Sequence, residues 1–192
     1  MPEMRELAIA YGASRQAKTW VNKQISFGAL KDRLKVTQRT PESAEEYAKM
    51  DKAARDQAKD LGGFVGGTLI GGRRKVDSVQ SRSMISLDGD RITSEFLDAF
   101  EKNMPFAAFL YTTHSSTKER PRVRIVVPLT RDVSPEEFVA VSRYLAQMLG
   151  IDQPGFISGI TGCTFDQVTL CVPARMGDCF NQMPFFGSNG SV

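Results

Sequence analysis

From residue 82 onward the chain alternates short apolar runs and amphipathic runs in a fixed order, and this order constrains the fold more than any other feature. The strands are rich in β-branched and apolar residues, and the helices begin with capping residues and repeat apolar side chains at helical spacing. The predicted elements are a strand at 84–87, a helix from 93 that Pro105 ends, strands at 106–112 and 123–129, a helix from 134 that Gly150 ends, and a strand at 168–172.

The order β-α-β-β-α-β is that of the split βαβ, or ferredoxin-like, arrangement, so the predicted fold class is α+β. In this topology the sheet order is 4-1-3-2 with antiparallel neighbours. Right-handed crossovers make strands one and two run one way and strands three and four the other. We therefore expect the ends of strands one and two and the starts of strands three and four to share one edge.

The region before this unit is predicted to form a separate α/β unit with basic loops. It contains a strand at 7–11, a helix that Ser26 caps and that runs through Leu34, a polar helix from Thr40-Pro41 to about Lys59, and a strand at 64–70. Gly66-Gly67 inside the last strand predicts a close approach of another backbone or a ligand. The predicted organisation is therefore an N-terminal unit at 1–80, a ferredoxin-like unit at 81–186 and a flexible tail at 187–192.

Three carboxylates are expected at the shared edge of the sheet. Asp88 and Asp90 follow strand one, and Asp166 immediately precedes strand four. Asp-Gly-Asp is also ordinary turn chemistry, so the pair alone leaves a simple turn open as an alternative. Together with Asp166, however, the carboxylates could hold two divalent ions for an in-line displacement at phosphorus. Mg²⁺ and Mn²⁺ prefer such oxygen ligands.

The same edge carries groups suited to binding phosphate. They are His114, which is the only histidine of the chain, Ser116 in the following loop, and Arg122 and Arg124 at the start of strand three. Charge-assisted hydrogen bonds from such groups can neutralise a triphosphate as pyrophosphate leaves. Each of these residues alone has a structural alternative, such as a partly buried histidine or an arginine in a structural ion pair.

Composition indicates a globular chain with a polyanionic partner. The 192 residues are 41% hydrophobic and carry a net charge of +3, but residues 1–40 hold eight Lys or Arg against three acids. Further basic clusters follow, and we expect a nucleic acid to bind at them. The predicted nucleic-acid-binding residues are Arg15, Lys18, Arg73, Arg74, Lys75 and Arg82. No membrane span or signal segment is predicted, so a cytoplasmic location is expected.

The motifs resemble those of the archaeo-eukaryotic primase superfamily. Ser-Met-Ile-Ser-Leu-Asp-Gly-Asp at 83–90 resembles its first motif, Thr112-Thr113-His114 its second, and Phe165-Asp166 its third. Phe64-Val-Gly-Gly, Gly71-Gly-Arg-Arg-Lys and Arg122-Val-Arg-Ile-Val-Val-Pro-Leu are similar to segments of primase-polymerase domains of phages and mobile elements. Such domains are often joined to helicases of the virulence-associated-protein-E type. The resemblance covers most of residues 5–176.

This resemblance implies an RRM-like catalytic palm and metal-dependent transfer of nucleotides onto a strand templated by single-stranded DNA. By motif position Asp88, Asp90 and Asp166 would hold two Mg²⁺ or Mn²⁺ ions. Both His114 and Arg124 are candidates for the nucleotide-binding position, and Arg175 matches an arginine that follows the third motif. The implied partners are the DNA template, nucleoside triphosphates and a replicative helicase. The chain is expected to be an excised catalytic domain or a stand-alone small primase.

Two other functions are compatible with such a sheet. A non-catalytic RRM-type module would stack bases on exposed aromatic residues of its central strands, and the predicted strands one and three contain none. A relaxase-type nicking enzyme would need a histidine cluster and a nucleophilic tyrosine, whereas this chain has one histidine. Both are weaker hypotheses than nucleotidyl transfer.

Overall fold

The structure, a computed structural model, describes residues 5–90 and 92–150 as a mixed α/β arrangement with two antiparallel sheets. The elements in chain order are β1 Glu6–Gly12, β2 Val21–Ser26, α1 Phe27–Lys35, α2 Ala44–Lys49, α3 Lys52–Ala58, β3 Gly63–Val65, β4 Gly67–Leu69, β5 Val79–Gly89, α4 Ser94–Asn103, β6 Phe109–Thr112, β7 Val123–Val133 and α5 Pro135–Met148. The predicted α+β fold class is confirmed.

The larger sheet has the order β4-β5-β7-β6 and contains the predicted palm strands. The predicted strands one, three and two are β5, β7 and β6, and their antiparallel order is confirmed. Asp88 lies opposite Arg124, and Gly89 lies opposite Val123. The predicted fourth strand at 168–172 lies outside the described residues. β4, which the sequence did not predict as a separate strand, pairs with the first residues of β5.

The smaller sheet has the order β2-β1-β3 and was only partly predicted. β1 was expected, but β2 was not. Its sequence, Val-Asn-Lys-Gln-Ile-Ser, is mostly polar, and its first four residues are exposed. The strand forms because its backbone pairs with β1 from Glu6 opposite Ser26 to Tyr11 opposite Val21. Such an edge strand carries little hydrophobic pattern from which to predict it.

The two faces of the larger sheet are covered by different parts of the chain. Ile85 and Leu87 of β5 pack with Phe100 of α4 and Leu145 of α5 in one buried cluster. Met84, on the opposite face of β5, belongs to a second cluster with β1, α1 and β6; its other members include Leu7, Ile9, Phe27, Phe109, Tyr111 and Val126. Because side chains alternate along a strand, Asp88 and Arg124 lie on the face of Met84 and Val126, which meets the N-terminal elements.

Two of the predicted elements are each divided into two in the structure. The single helix expected from Thr40 to Lys59 is two short helices, because Met50 has an extended backbone and Asp51 caps a new helix. The strand expected at 64–70 is divided between β3 in one sheet and β4 in the other. The glycine pair lies at the division, and a Cβ at Gly67, whose φ is +152°, would lie 1.9 Å from the carbonyl oxygen of Ser81. The predicted close backbone approach is therefore confirmed.

The predicted helix ends are mostly confirmed. Ser26 caps α1 by accepting a hydrogen bond from the backbone N–H of Ala29 at 3.1 Å. Ser134 and Glu137 form the predicted capping box of α5. Of the helices in residues 5–90 and 92–150, none is long and apolar enough to cross a membrane.

Candidate functional site

Asp88 is the penultimate residue of β5, and Asp90 directly follows the strand. Their side chains are 23% and 32% exposed, so both reach solvent. Gly89 between them is buried, and a Cβ there would lie 2.6 Å from the Ile92 side chain. Glycine thus allows the packing of Ile92 behind the two acids. The predicted placement of Asp88 and Asp90 at one end of strand one is the arrangement found.

Each of these carboxylates has an arginine beside it, Arg124 from β7 and Arg122 from the position just before that strand. Arg124 donates from Nε to Asp88 Oδ1 at 2.6 Å and from Nη2 to Asp88 Oδ2 at 3.0 Å. Arg122 Nε lies 3.7 Å from Asp90 Oδ1. The first pair is a bidentate one in which only 7% of the Arg124 side chain is exposed, whereas the second is looser. Two acids and two arginines therefore form one cluster at this edge.

His114 lies in the turn after β6 and is held by two residues of the N-terminal unit. Its Nε2 is 3.2 Å from the Thr40 hydroxyl oxygen. The ring centroid of Tyr47 is 4.3 Å from that of His114, and the Tyr47 hydroxyl is 3.4 Å from Ser115 Oγ. Burial lowers the pKa of His114, an effect that Lys59 reinforces and Glu42 opposes. The imidazole is therefore neutral at neutral pH.

Ser116 has a structural role in the loop between β6 and β7. It is fully buried, and its hydroxyl oxygen accepts a hydrogen bond from the backbone N–H of Arg122 at 2.9 Å. The backbone N–H of Thr113 donates to the Arg122 carbonyl at 3.0 Å. These two hydrogen bonds join the two ends of the loop and so hold Arg122 close to His114.

A cavity of about 350 Å³ opens between this loop and the segment that carries α2 and α3. Four arginines and one glutamate contribute to its lining, so it is strongly cationic. The predicted residues at its wall are His114, Ser116 and Arg122, and the others are Arg39, Thr40, Glu42, Ser43, Ala44, Tyr47, Ala48, Arg55, Ser115, Thr117 and Arg120. Arg124 is not in this lining, because its guanidinium is directed to Asp88.

Sequence reasoning missed the contribution of Arg39, Thr40, Tyr47 and Arg55 to this cavity. These residues lie in a polar stretch with no motif, more than fifty positions before His114. Only the fold brings them together. The basic character of residues 1–40 was a partial signal for Arg39, but nothing in the sequence paired it with the second motif.

Arg122 connects the cavity to the carboxylates. Its guanidinium is near Asp90, and the same side chain contributes to the cavity wall. A ligand in the cavity therefore lies next to the edge that carries Asp88 and Asp90. Among the described residues no group of three or more metal-ligating acids, histidines or cysteines occurs. Asp166, the third predicted ligand, and Arg175 lie outside those residues.

The predicted nucleic-acid-binding residues differ in their surroundings. Lys18, Arg73 and Lys75 are exposed. Arg15 lies 3.3 Å from Asp56 through Nη1, and Arg74 lies over the Trp20 ring at 5.2 Å while donating to the Arg15 carbonyl.

Arg82, also predicted to bind nucleic acid, is only 4% exposed. Its guanidinium lies 4.6 Å from the ring centroid of Phe138. Three of the six predicted nucleic-acid-binding residues are therefore exposed.

The fold and this edge cluster define a mixed α/β domain with an acidic edge beside a cationic cavity, and the sequence comparison identifies its family. Residues 1–169 match the family model of the VapE N-terminal domain, and the chain belongs to that family. The resemblance to primase-polymerase domains joined to VapE-type helicases, drawn from the motifs, is thereby confirmed.

A solved structure is also similar to this chain, although distantly. It is the AEP domain of the primase-polymerase of cyanophage S-2L, at 13% identity and a TM-score of 0.38, with 87% of this chain and 78% of that chain covered. No curated protein sequence matches the chain.

Proposed function

We propose that this chain is the catalytic domain of a primase-polymerase, a nucleotidyltransferase that adds nucleotides to a strand on a single-stranded DNA template. The observation that carries the proposal is the position of Arg122, which lies beside Asp90 and also in the wall of the cationic cavity. A triphosphate in that cavity would have its reacting phosphorus close to the edge formed by Asp88 and Asp90. Membership of the VapE N-terminal family supports the same class of reaction.

Asp88 and Asp90 fit a divalent cation by their donor atoms. Mg²⁺ and Mn²⁺ take carboxylate oxygens, and both side chains are partly exposed. Arg124 occupies two of the lone-pair positions of Asp88, and a carboxylate has about four, so the ion pair leaves positions for a metal. We propose Asp88, Asp90 and Asp166 as the ligands. The bound cations would activate the attacking 3′-hydroxyl and stabilise the leaving pyrophosphate.

The cavity suits the polyphosphate of an incoming nucleotide. Arginine donors in a fork geometry bind phosphate oxygens in pairs, and four of them contribute to this wall. His114 lies in the same wall with a neutral imidazole. In the proposed reaction these groups hold the triphosphate while the 3′-hydroxyl oxygen attacks the α-phosphorus and gives its proton to water. The bond between the α-phosphorus and the oxygen that bridges to the β-phosphate breaks, and pyrophosphate departs with its charge neutralised.

Of the two sequence candidates for the nucleotide-binding position, the geometry favours His114. It lines the cavity, whereas Arg124 contacts Asp88. We propose that Arg124 orients the Asp88 carboxylate and that Arg122 contacts phosphate. The template would bind at exposed basic residues, among them Lys18, Arg73 and Lys75, and a helicase is the proposed partner in replication.

Incorporation of a labelled nucleotide on primed and unprimed single-stranded DNA tests this function. We expect activity with Mg²⁺ or Mn²⁺, none after chelation with EDTA, and a loss of at least about a hundredfold in Asp90→Asn, because the neutral amide of asparagine is a much weaker ligand for a hard cation than the carboxylate. Asp98→Asn is the matched control, because Asp98 is an exposed acid on α4. Full activity of Asp90→Asn, or equal losses in both variants, would contradict the assignment.

A further inference from the structure

Among the described residues the hydroxyl group of Thr40 has one partner, and that partner is His114. Thr40 Oγ1 lies 3.2 Å from His114 Nε2, and within residues 5–90 and 92–150 the hydroxyl makes no second hydrogen bond. Thr40 is half-buried and belongs to the cavity wall. Since a hydroxyl has one proton to donate and two lone pairs to accept, this contact has two possible directions.

The second nitrogen of the imidazole, Nδ1, determines whether Thr40 or His114 is the donor in this hydrogen bond. His114 Nδ1 is buried and has no hydrogen-bond partner among the described residues. A neutral imidazole carries its proton on one nitrogen only. A proton on Nδ1 would leave a buried N–H donor unpaired, and orphaned N–H groups are rarer in proteins than unpaired acceptors. The proton therefore belongs on Nε2, where the Thr40 oxygen accepts it.

We infer that Thr40 is a positioning residue: it holds the His114 ring in the Nε2–H tautomer and turns its own hydroxyl proton into the cavity, where a phosphate oxygen accepts it. The Tyr47 ring packs against the imidazole and restricts its rotation. The charged groups around His114 are Glu42, which favours the protonated ring, and Lys59, which opposes it. The phosphate contact rests on the proposed function, whereas the tautomer does not.

Because the chain has a single histidine, its imidazole can be observed without assignment. Two-bond ¹⁵N–¹H correlation spectra of the full, tag-free ¹⁵N-labelled chain at neutral pH report the tautomer directly. We expect the Nε2–H pattern in the wild type. Thr40→Val keeps the shape but removes the acceptor, so its spectrum shifts towards the averaged pattern of a free imidazole, and the titration midpoint moves. Thr40→Ser restores the wild-type pattern.

Thr68→Val is the matched control, because Thr68 also forms a hydroxyl contact, with Ser81 Oγ at 2.9 Å, outside the cavity. Its spectrum should equal that of the wild type. An Nδ1–H pattern in the wild type, or an unchanged pattern in Thr40→Val, would overturn the inference. If Thr40→Val does not fold, as judged by circular dichroism, the wild-type pattern and the Thr40→Ser spectrum still decide the question.

Equilibrium binding of a non-hydrolysable nucleoside triphosphate tests the phosphate contact. We expect Thr40→Val to bind about threefold to tenfold more weakly than the wild type, the effect of one hydrogen bond, and Thr40→Ser to bind normally. Unchanged affinity in Thr40→Val would refute the contact. Absence of triphosphate binding in the wild type would instead refute the proposed function and leave the spectroscopic result standing.

Discussion

At the scale of single residues, Arg122 just before β7 and Arg124 within it differ in how firmly they are paired. Arg124 donates twice to Asp88 and is almost fully buried, whereas Arg122 approaches Asp90 only at 3.7 Å and is one-third exposed. Removal of one partner from a buried ion pair leaves an uncompensated charge, while an exposed pair contributes little. The two positions should therefore respond differently to the same substitution.

We predict that Arg124→Gln lowers the free energy of unfolding by about 1–3 kcal/mol, below the effect of a fully buried pair because Asp88 is partly exposed. Arg122→Gln, the matched control, should cost less than about 1 kcal/mol. Urea unfolding followed by circular dichroism measures both values. Equal losses in the two variants would show that burial does not distinguish these pairs.

His114 supplies a prediction about pH. Burial lowers its pKa in the folded state below the ordinary value of 6.5, so the folded protein resists its protonation. The contribution of neutral His114 to the free energy of unfolding is fully present above pH 6.5. It is lost as the pH falls through the pKa of His114 in the folded state.

The urea midpoint of the wild type, measured against that of His114→Gln from pH 8 to 5, tests this sign. We expect the wild-type advantage to shrink towards acid pH. An advantage that grows as the pH falls would mean that the pKa of His114 is raised in the folded state.

At the scale of elements, what the sequence predicted and what it missed have separate physical causes. Capping boxes and apolar periodicity are local signals, and they predicted α5, β5, β6 and β7 and the order of these strands. β2 was missed because an exposed edge strand has no apolar pattern. Thr40 and Tyr47 were not predicted to line the cavity, because a contact between segments that are distant in sequence produces no local pattern in either segment.

The division between β3 and β4 depends on Gly67, and this gives a prediction for the element. Its positive φ and the nearby Ser81 carbonyl leave no room for a side chain. Gly67→Ala should lower the free energy of unfolding by more than about 2 kcal/mol, since the backbone must shift in addition to adopting a strained φ.

Gly71→Ala is the control for this effect. Gly71 also has a positive φ, of +63°, but a Cβ there would meet no atom within 4 Å. Gly71→Ala should lower the free energy of unfolding by only about 1–2 kcal/mol, which is the cost of the backbone conformation alone. Thermal or urea unfolding of the two variants separates the contribution of contact from that of conformation, and an equal loss would contradict the role of the Ser81 contact.

At the scale of the whole molecule, one hydrophobic core joins the two predicted units. Phe27 and Leu30 from the N-terminal unit pack with Met84, Phe109 and Val126 from the palm. Burial of each large apolar side chain contributes roughly 1.5–3 kcal/mol, and these contributions are shared across the predicted boundary at residue 80. The division into 1–80 and 81–186 remains a prediction about organisation, but the shared core couples the folding of the two parts.

We therefore expect the chain to unfold in a single cooperative transition. Trp20, the only tryptophan, is buried in the N-terminal unit, so its fluorescence reports on that part alone. Circular dichroism reports on both. Coincident urea transitions by the two probes support coupling, and a tryptophan transition at clearly lower urea would show that the N-terminal unit unfolds separately.

The central claim is that Asp88, Asp90 and Asp166 hold divalent metal beside a cavity that receives a triphosphate. A crystal structure with Mn²⁺ and a non-hydrolysable nucleoside triphosphate tests it most directly, because manganese is located by its anomalous scattering. We expect manganese bound by oxygen atoms of all three aspartates and the polyphosphate in the cavity beside Arg122 and His114. Manganese or nucleotide bound elsewhere, or Asp166 remote from the other two acids, would contradict the catalytic assignment.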